Sequence, residues 1–165
     1  MRARKIIALS MCIVFMFSAC SCYIGADARE RRIARRTALK LFKYMQKEDT
    51  DNLVRLFAKE TGDEYDLEDE WDDLFDSLDG TVVSYEDLNV TAVEVWVDKG
   101  KVSHSVIQVR FTDVVTDEGT RYEEIGFSQT VVDNKEKDMI GINVLEILDE
   151  NEEPVAVVGG YGDDY

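Results

Sequence analysis

The sequence predicts an α+β fold in which N-terminal helices pack on an antiparallel sheet. Three observations carry that expectation. As far as Leu78, apolar residues recur at the three- and four-residue spacing of helices; from Thr81 onward the period drops to two and β-branched residues accumulate; and Lys99-Gly100 and Glu118-Gly119 stand between alternating runs as hairpin turns. Helices grouped before strands, rather than interleaved with them, follow the α+β order.

At the start of the chain, Arg2, Arg4 and Lys5 precede an apolar run from Ile6 to Phe17, and the junction reads Phe17-Ser18-Ala19-Cys20. Such a run is too short to cross ~30 Å of hydrocarbon as a helix and suits the core of an export signal. The junction resembles the lipobox of bacterial lipoproteins, with Phe17 where leucine is usual, and the resemblance implies cleavage before Cys20 and a lipid on that cysteine. Cys22 is the weaker candidate, since Cys20 and Ser21 directly precede it. Residues 1–19 are therefore predicted as a lipoprotein signal peptide, 20–26 as a tether, 27–158 as the domain and 159–165 as a flexible tail. The expected location is the extracytoplasmic face of the cell membrane, with the lipid bilayer, reached through Cys20, as the first partner.

Over residues 28–47, Ile33, Ala34, Thr37, Ala38, Leu41, Phe42, Tyr44 and Met45 fall on one half of a helix. Arg29, Arg32, Arg36, Lys40, Lys43 and Lys47 recur at three- and four-residue intervals on the other side, a basic stripe that is a candidate for facing the membrane, with simple solvation or pairing with the acidic domain as the competing accounts. Asp49 or Thr50 can cap a second helix, with Leu53, Val54, Leu56, Phe57 and Ala58 on its apolar side and Thr61-Gly62 at its end. A third carries Leu67, Trp71, Leu74, Phe75 and Leu78, with Gly80 just beyond it. Strands are predicted at 81–86, 89–98, 102–114, 120–132, 139–149 and 154–158.

The charge is unevenly placed. Residues 27–47 hold eight Arg or Lys against Asp27 and Glu30, whereas the chain beyond them holds 33 acids against eight bases, an excess of -25. That field argues against nucleic acid as a partner. All three cysteines, Cys12, Cys20 and Cys22, precede the domain, so the domain can form no disulfide framework or thiolate metal site.

Helix, short helix, Trp-bearing helix and then a curved antiparallel sheet resemble the cone fold of nuclear transport factor 2 and ketosteroid isomerase. Leu74-Phe75-Asp76-Ser77-Leu78-Asp79-Gly80 running into Val83-Ser84-Tyr85-Glu86, with the later Thr116-Asp117-Glu118-Gly119-Thr120-Arg121-Tyr122 turn, is similar to the small bacterial lipoproteins of the domain of unknown function 5104 family. The resemblance implies a fold and an address; it brings no catalytic residue with it.

The candidate chemistry is sparse. His104 is the sole histidine and lies in an alternating run, where it reads as a strand or turn residue. The acid-rich run from Asp63 to Asp73 invites a calcium loop, but a loop opening at Asp66 would place Trp71 where the sharp turn requires glycine, so the acids read as a solvated helix face. Gly159-Gly160-Tyr161-Gly162 has no following helix or lysine to make a phosphate loop. A cone encloses a pocket between helices and sheet, and Trp71, Tyr85, Trp96, Arg110, Tyr122 and Phe127 are large or polar-tipped enough to line it, while each is also ordinary core or strand material. No cofactor is indicated. The leading expectation is a membrane-anchored, non-enzymatic domain that binds a small molecule or an envelope protein. The alternatives are an isomerase or hydratase using buried carboxylates, which a buried acid facing Tyr122 or Tyr85 would favour, and an interaction or immunity-type module.

Overall fold

Helix α1 spans residues 28–45 in the computed structural model, which describes residues 28–160. The predicted signal peptide, Cys20, the tether and residues 161–165 lie outside the described residues. Glu30, Ala34, Ala38, Leu41, Phe42 and Met45 form the buried side of α1. The helix stops two residues earlier than its pattern predicts, as Glu48 turns to φ 51° and Asp49 N–H bonds Tyr44 O at 3.1 Å. Lys47 thus lies in the following turn.

The single second helix expected from the apolar pattern is two, α2 at Thr50–Val54 and α3 at Lys59–Glu64. Phe57 between them bridges Ile142 in parallel: Ile142 N–H donates to Leu56 O at 2.9 Å and Ala58 N–H to Ile142 O at 2.8 Å. Backbone groups committed to a strand cannot also close the i to i-4 ladder, so the helix divides there. Asp49 caps α2, its carboxylate accepting from Asn52 N–H at 3.3 Å. Helix α4, Leu67–Ser77, is capped by Asp66 through Asp69 N–H at 3.4 Å and carries Glu68, Asp69 and Glu70 at the positive end of its dipole.

Six strands follow: β1 Val82–Ser84, β2 Asp87–Asp98, β3 Lys101–Thr116, β4 Arg121–Asp133, β5 Gly141–Leu148 and β6 Pro154–Gly159, with a 3-10 turn at Lys137–Met139. They form one antiparallel curved sheet in the order β1-β3-β4-β5-β6, with β2 also paired to β3. The last strand runs through Gly159, and Gly160 N–H bonds Asn143 O, so the chain is held two residues into the predicted tail.

Register assigns the two faces. Leu88↔Phe111↔Ile125↔Ile147 and Val109↔Phe127↔Leu145↔Val158 are aligned partners on the inner face, under the helices. Asn89↔Arg110↔Gly126↔Glu146 and Thr112↔Glu124↔Leu148 occupy the outer face. Trp71 fills the layer between helices and sheet against Phe57 and Phe75, at centroid distances of 6.2 and 5.5 Å, and Phe42 closes on Tyr85 and Phe111 at 4.8 and 5.2 Å. Every residue of this core lies between Ala34 and Val158.

Candidate functional site

Two surfaces and one polar cluster stand out, and α1 builds the first. Its buried side meets the sheet, so Arg29, Arg32, Arg36, Lys40 and Lys43 are carried to the opposite side, and all are exposed. Among the described residues Lys59, Arg110 and Arg121 lie within 4.0 Å of carboxylates, as does the ring of His104, and none of the five does. Lys47, in the turn, is likewise exposed and unpaired among the described residues. Leu39 at 49% exposure and Ile33 at 36% stand among these cations.

The second surface is the outer face of the sheet. Asn89 and Thr91 of β2, Gln108, Arg110 and Thr112 of β3, and Glu124 of β4 line a groove of about 360 Å³. Strand alternation places every one of these polar side chains on the face the helices leave uncovered. Arg110 Nε lies 3.4 Å from Glu124 Oε1. Burial pushes the Glu124 carboxyl above the usual range, Arg110 opposes that, and Glu146 and Glu123 add to it. Gly126 opens the space beside it, since a Cβ there would stand 2.6 Å from Glu124 Oε1.

The cluster forms where β2, β3 and β4 meet. His104 Nδ1 lies 2.8 Å from Asp133 Oδ2 and its Nε2 lies 3.7 Å from Glu94 Oε2, while its ring stacks on Trp96 at 4.7 Å. Asp133 also accepts from the backbone N–H of Lys135 and Glu136 at 2.8 and 2.9 Å. Burial raises the Asp133 carboxyl, but the Glu136 N–H, His104 and the Lys135 N–H together outweigh it and hold it below the usual range. A carboxyl lowered in the folded state stabilises the fold above its unfolded pKa of about 3.9, and that contribution is lost as pH falls through the folded value. Asp133→Asn is therefore expected to cost about 1 to 2 kcal/mol at pH 7. In urea titrations the difference from the native domain should shrink below about pH 4, and a constant deficit would refute the linkage.

The six aromatic and basic residues singled out for an internal pocket are divided between the faces. Trp71 and Phe127 are core, and Tyr122 is buried with its hydroxyl accepting from Asp79 N–H at 2.9 Å. Tyr85 is half-buried against Phe42 and Phe111. Arg110 and Trp96 lie on the outer face, Trp96 being 54% exposed. Asp133, Glu94 and Glu124 escaped the sequence reading, because only strand register brings His104 opposite Trp96 and Asp133 and places Thr112 opposite Glu124.

The acids of α4 point mainly to solvent, and among the described residues no group of three or more His, Cys, Asp or Glu is arranged to hold a metal ion. A broader depression beside α3 is lined by Glu60, Asp63 and residues 135–139; at its edge Lys59 pairs with Asp63 at 2.7 Å and Asp138 at 3.4 Å. Among the described residues no helix is long and apolar enough to cross a membrane.

A family model described as a domain of unknown function, DUF5104, matches residues 40–150. No curated protein matches the chain.

Proposed function

The chain belongs to the DUF5104 family, and from that premise we propose that it is a lipid-anchored, extracytoplasmic domain that binds rather than catalyses. It is held at the bacterial cell membrane through Cys20 and offers the outer face of its sheet to a small molecule or an envelope protein. The fold is read as a nuclear transport factor 2-like cone whose interior has been given over to packing. The observation that carries this reading is the division of the candidate residues: Trp71, Tyr85, Tyr122 and Phe127 lie within or against the helix-sheet layer, whereas Arg110 and Trp96 remain open on the outer face. Tyr122 is itself buried in that layer, its hydroxyl accepting from Asp79 N–H. Two acyl chains, at about 0.8 kcal/mol per buried methylene, hold a protein on a bilayer without a spanning helix.

Cys20→Ala is expected to abolish incorporation of a fatty-acid probe and to leave the precursor uncleaved, and Cys22→Ala to leave both unchanged. Undiminished labelling of the Cys20 variant would overturn the anchor. Mass spectrometry of the protein purified gently from its native membrane reads the lipid, the cleavage point and any retained small molecule in one measurement.

A further inference from the structure

We infer that the outward side of α1 is a docking surface for anionic phospholipid, so that the domain lies with this helix against the bilayer and the groove of Arg110 and Glu124 turned away from it. The inference deepens the lipid-anchor reading and rests on it for its location, but its physical basis is separate.

The first support is charge without internal partners. A basic stripe beside a domain of -25 excess is expected to be neutralised by that domain's own carboxylates, yet Arg29, Arg32, Arg36, Lys40 and Lys43 make no ion pair with any described residue. They extend over fifteen residues of helix, about 21 Å from first to last at a rise of 1.5 Å per residue. A planar anionic surface meets all five together, whereas the acids of the same chain, distributed over the helices and sheet, do not.

The second support is the apolar component. Leu39 and Ile33 are exposed among the cations. A phospholipid surface accommodates that combination: the alkyl stems of Lys and Arg and the leucine side chain enter the headgroup boundary while the charges remain at the phosphates. A dissolved acidic partner gains nothing from Leu39 unless it presents an apolar pocket.

The third support is reach and layering. Residues 21–27 span at most about 25 Å from Cys20, at roughly 3.3 to 3.6 Å per residue, so α1 begins within that distance of the headgroups. Because α1 packs by its other side on the inner face of the sheet, a bilayer against the stripe leaves the outer face as the far side of the molecule. The net negative charge of the remainder is repelled by the same anionic surface and reinforces this orientation.

The test uses the unlipidated domain from Asp27 to Tyr165, whose core lies wholly within it, so its outcome does not depend on Cys20. Vesicles of phosphatidylglycerol mixed with phosphatidylcholine should sediment the domain at low salt and release it as salt rises, and vesicles of phosphatidylcholine alone should not sediment it. Each basic residue at an anionic surface raises binding about fivefold. The quadruple variant Arg32→Gln, Arg36→Gln, Lys40→Gln, Lys43→Gln should therefore lose more than a hundredfold, with an unchanged circular dichroism spectrum because the four side chains are exposed and enter no ion pair among the described residues. Equal binding to neutral vesicles, or undiminished binding of the quadruple variant, would overturn the inference. Tighter binding to immobilised polyglutamate than to phosphatidylglycerol vesicles at equal charge and salt would overturn it too, in favour of an acidic protein partner. Loss of probe incorporation at Cys20 with no vesicle binding would keep the anchor and remove the docking surface; vesicle binding without any lipid on Cys20 would do the reverse.

Discussion

Trp71→Ala is expected to cost about 3 to 5 kcal/mol, the range for removing a large aromatic side chain from a packed core. Trp71 is fully buried, with its ring edge-on to Phe57 and tilted against Phe75, so α2, α3 and α4 cannot collapse onto the space without moving the bridge at Phe57. The indole Nε1 is buried, with no acceptor among the described residues. Trp71→Phe, which keeps one aromatic ring in the layer and removes less buried volume, should cost much less than the alanine variant. Urea unfolding followed by circular dichroism checks both variants. A loss below about 1 kcal/mol for Trp71→Ala would show that α4 turns a different side to the sheet.

Gly141→Ala is expected to cost about 3 kcal/mol, combining backbone strain with a steric conflict. Gly141 has φ 149°, and a Cβ there would stand about 2.6 Å from Ala58 Cα and the Phe57 carbonyl carbon. Both neighbours are backbone, so no rotamer change relieves the conflict. The same substitution at Gly100, with φ 76° and nothing within 4 Å of an added Cβ, should cost only the left-handed backbone penalty of about 1 to 2 kcal/mol. Hydrogen exchange locates the damage: the amides of Ala58 and Ile142, which bind across the bridge, should lose protection in the Gly141 variant and keep it in the Gly100 variant. Equal costs at the two sites would mean that the bridge does not constrain the approach.

Much of the architecture is local chemistry, and for that reason the sequence alone determined it. Helix α4 follows from the spacing of Leu67, Trp71 and Leu74 and the cap at Asp66. The β2–β3 hairpin follows from Lys99-Gly100, which adopt the positive φ values of 48° and 76° that the turn demands. The division into helices first and strands afterwards follows from the change of period, and the separation of a basic first helix from an acidic remainder is a matter of counting.

What tertiary structure decided involves groups distant in the chain. The second apolar run read as one helix because its periodicity is helical throughout; only Ile142, brought alongside from β5, takes the backbone of Leu56 and Ala58 out of the helical ladder. Strand β3 alternates inward at Ile107, Val109 and Phe111 and then at Val114 and Thr116, the phase changing where Asp113 adopts φ 51°. Alternation alone would have continued on the odd positions. His104 read as a plain strand residue because its carboxylate partner lies in another strand, at Asp133. The set of large and polar-tipped residues was legible, but its division between a packed interior and an open outer face was not. Periodicity states which residues share a face, and only the placement of the helices states which face is covered.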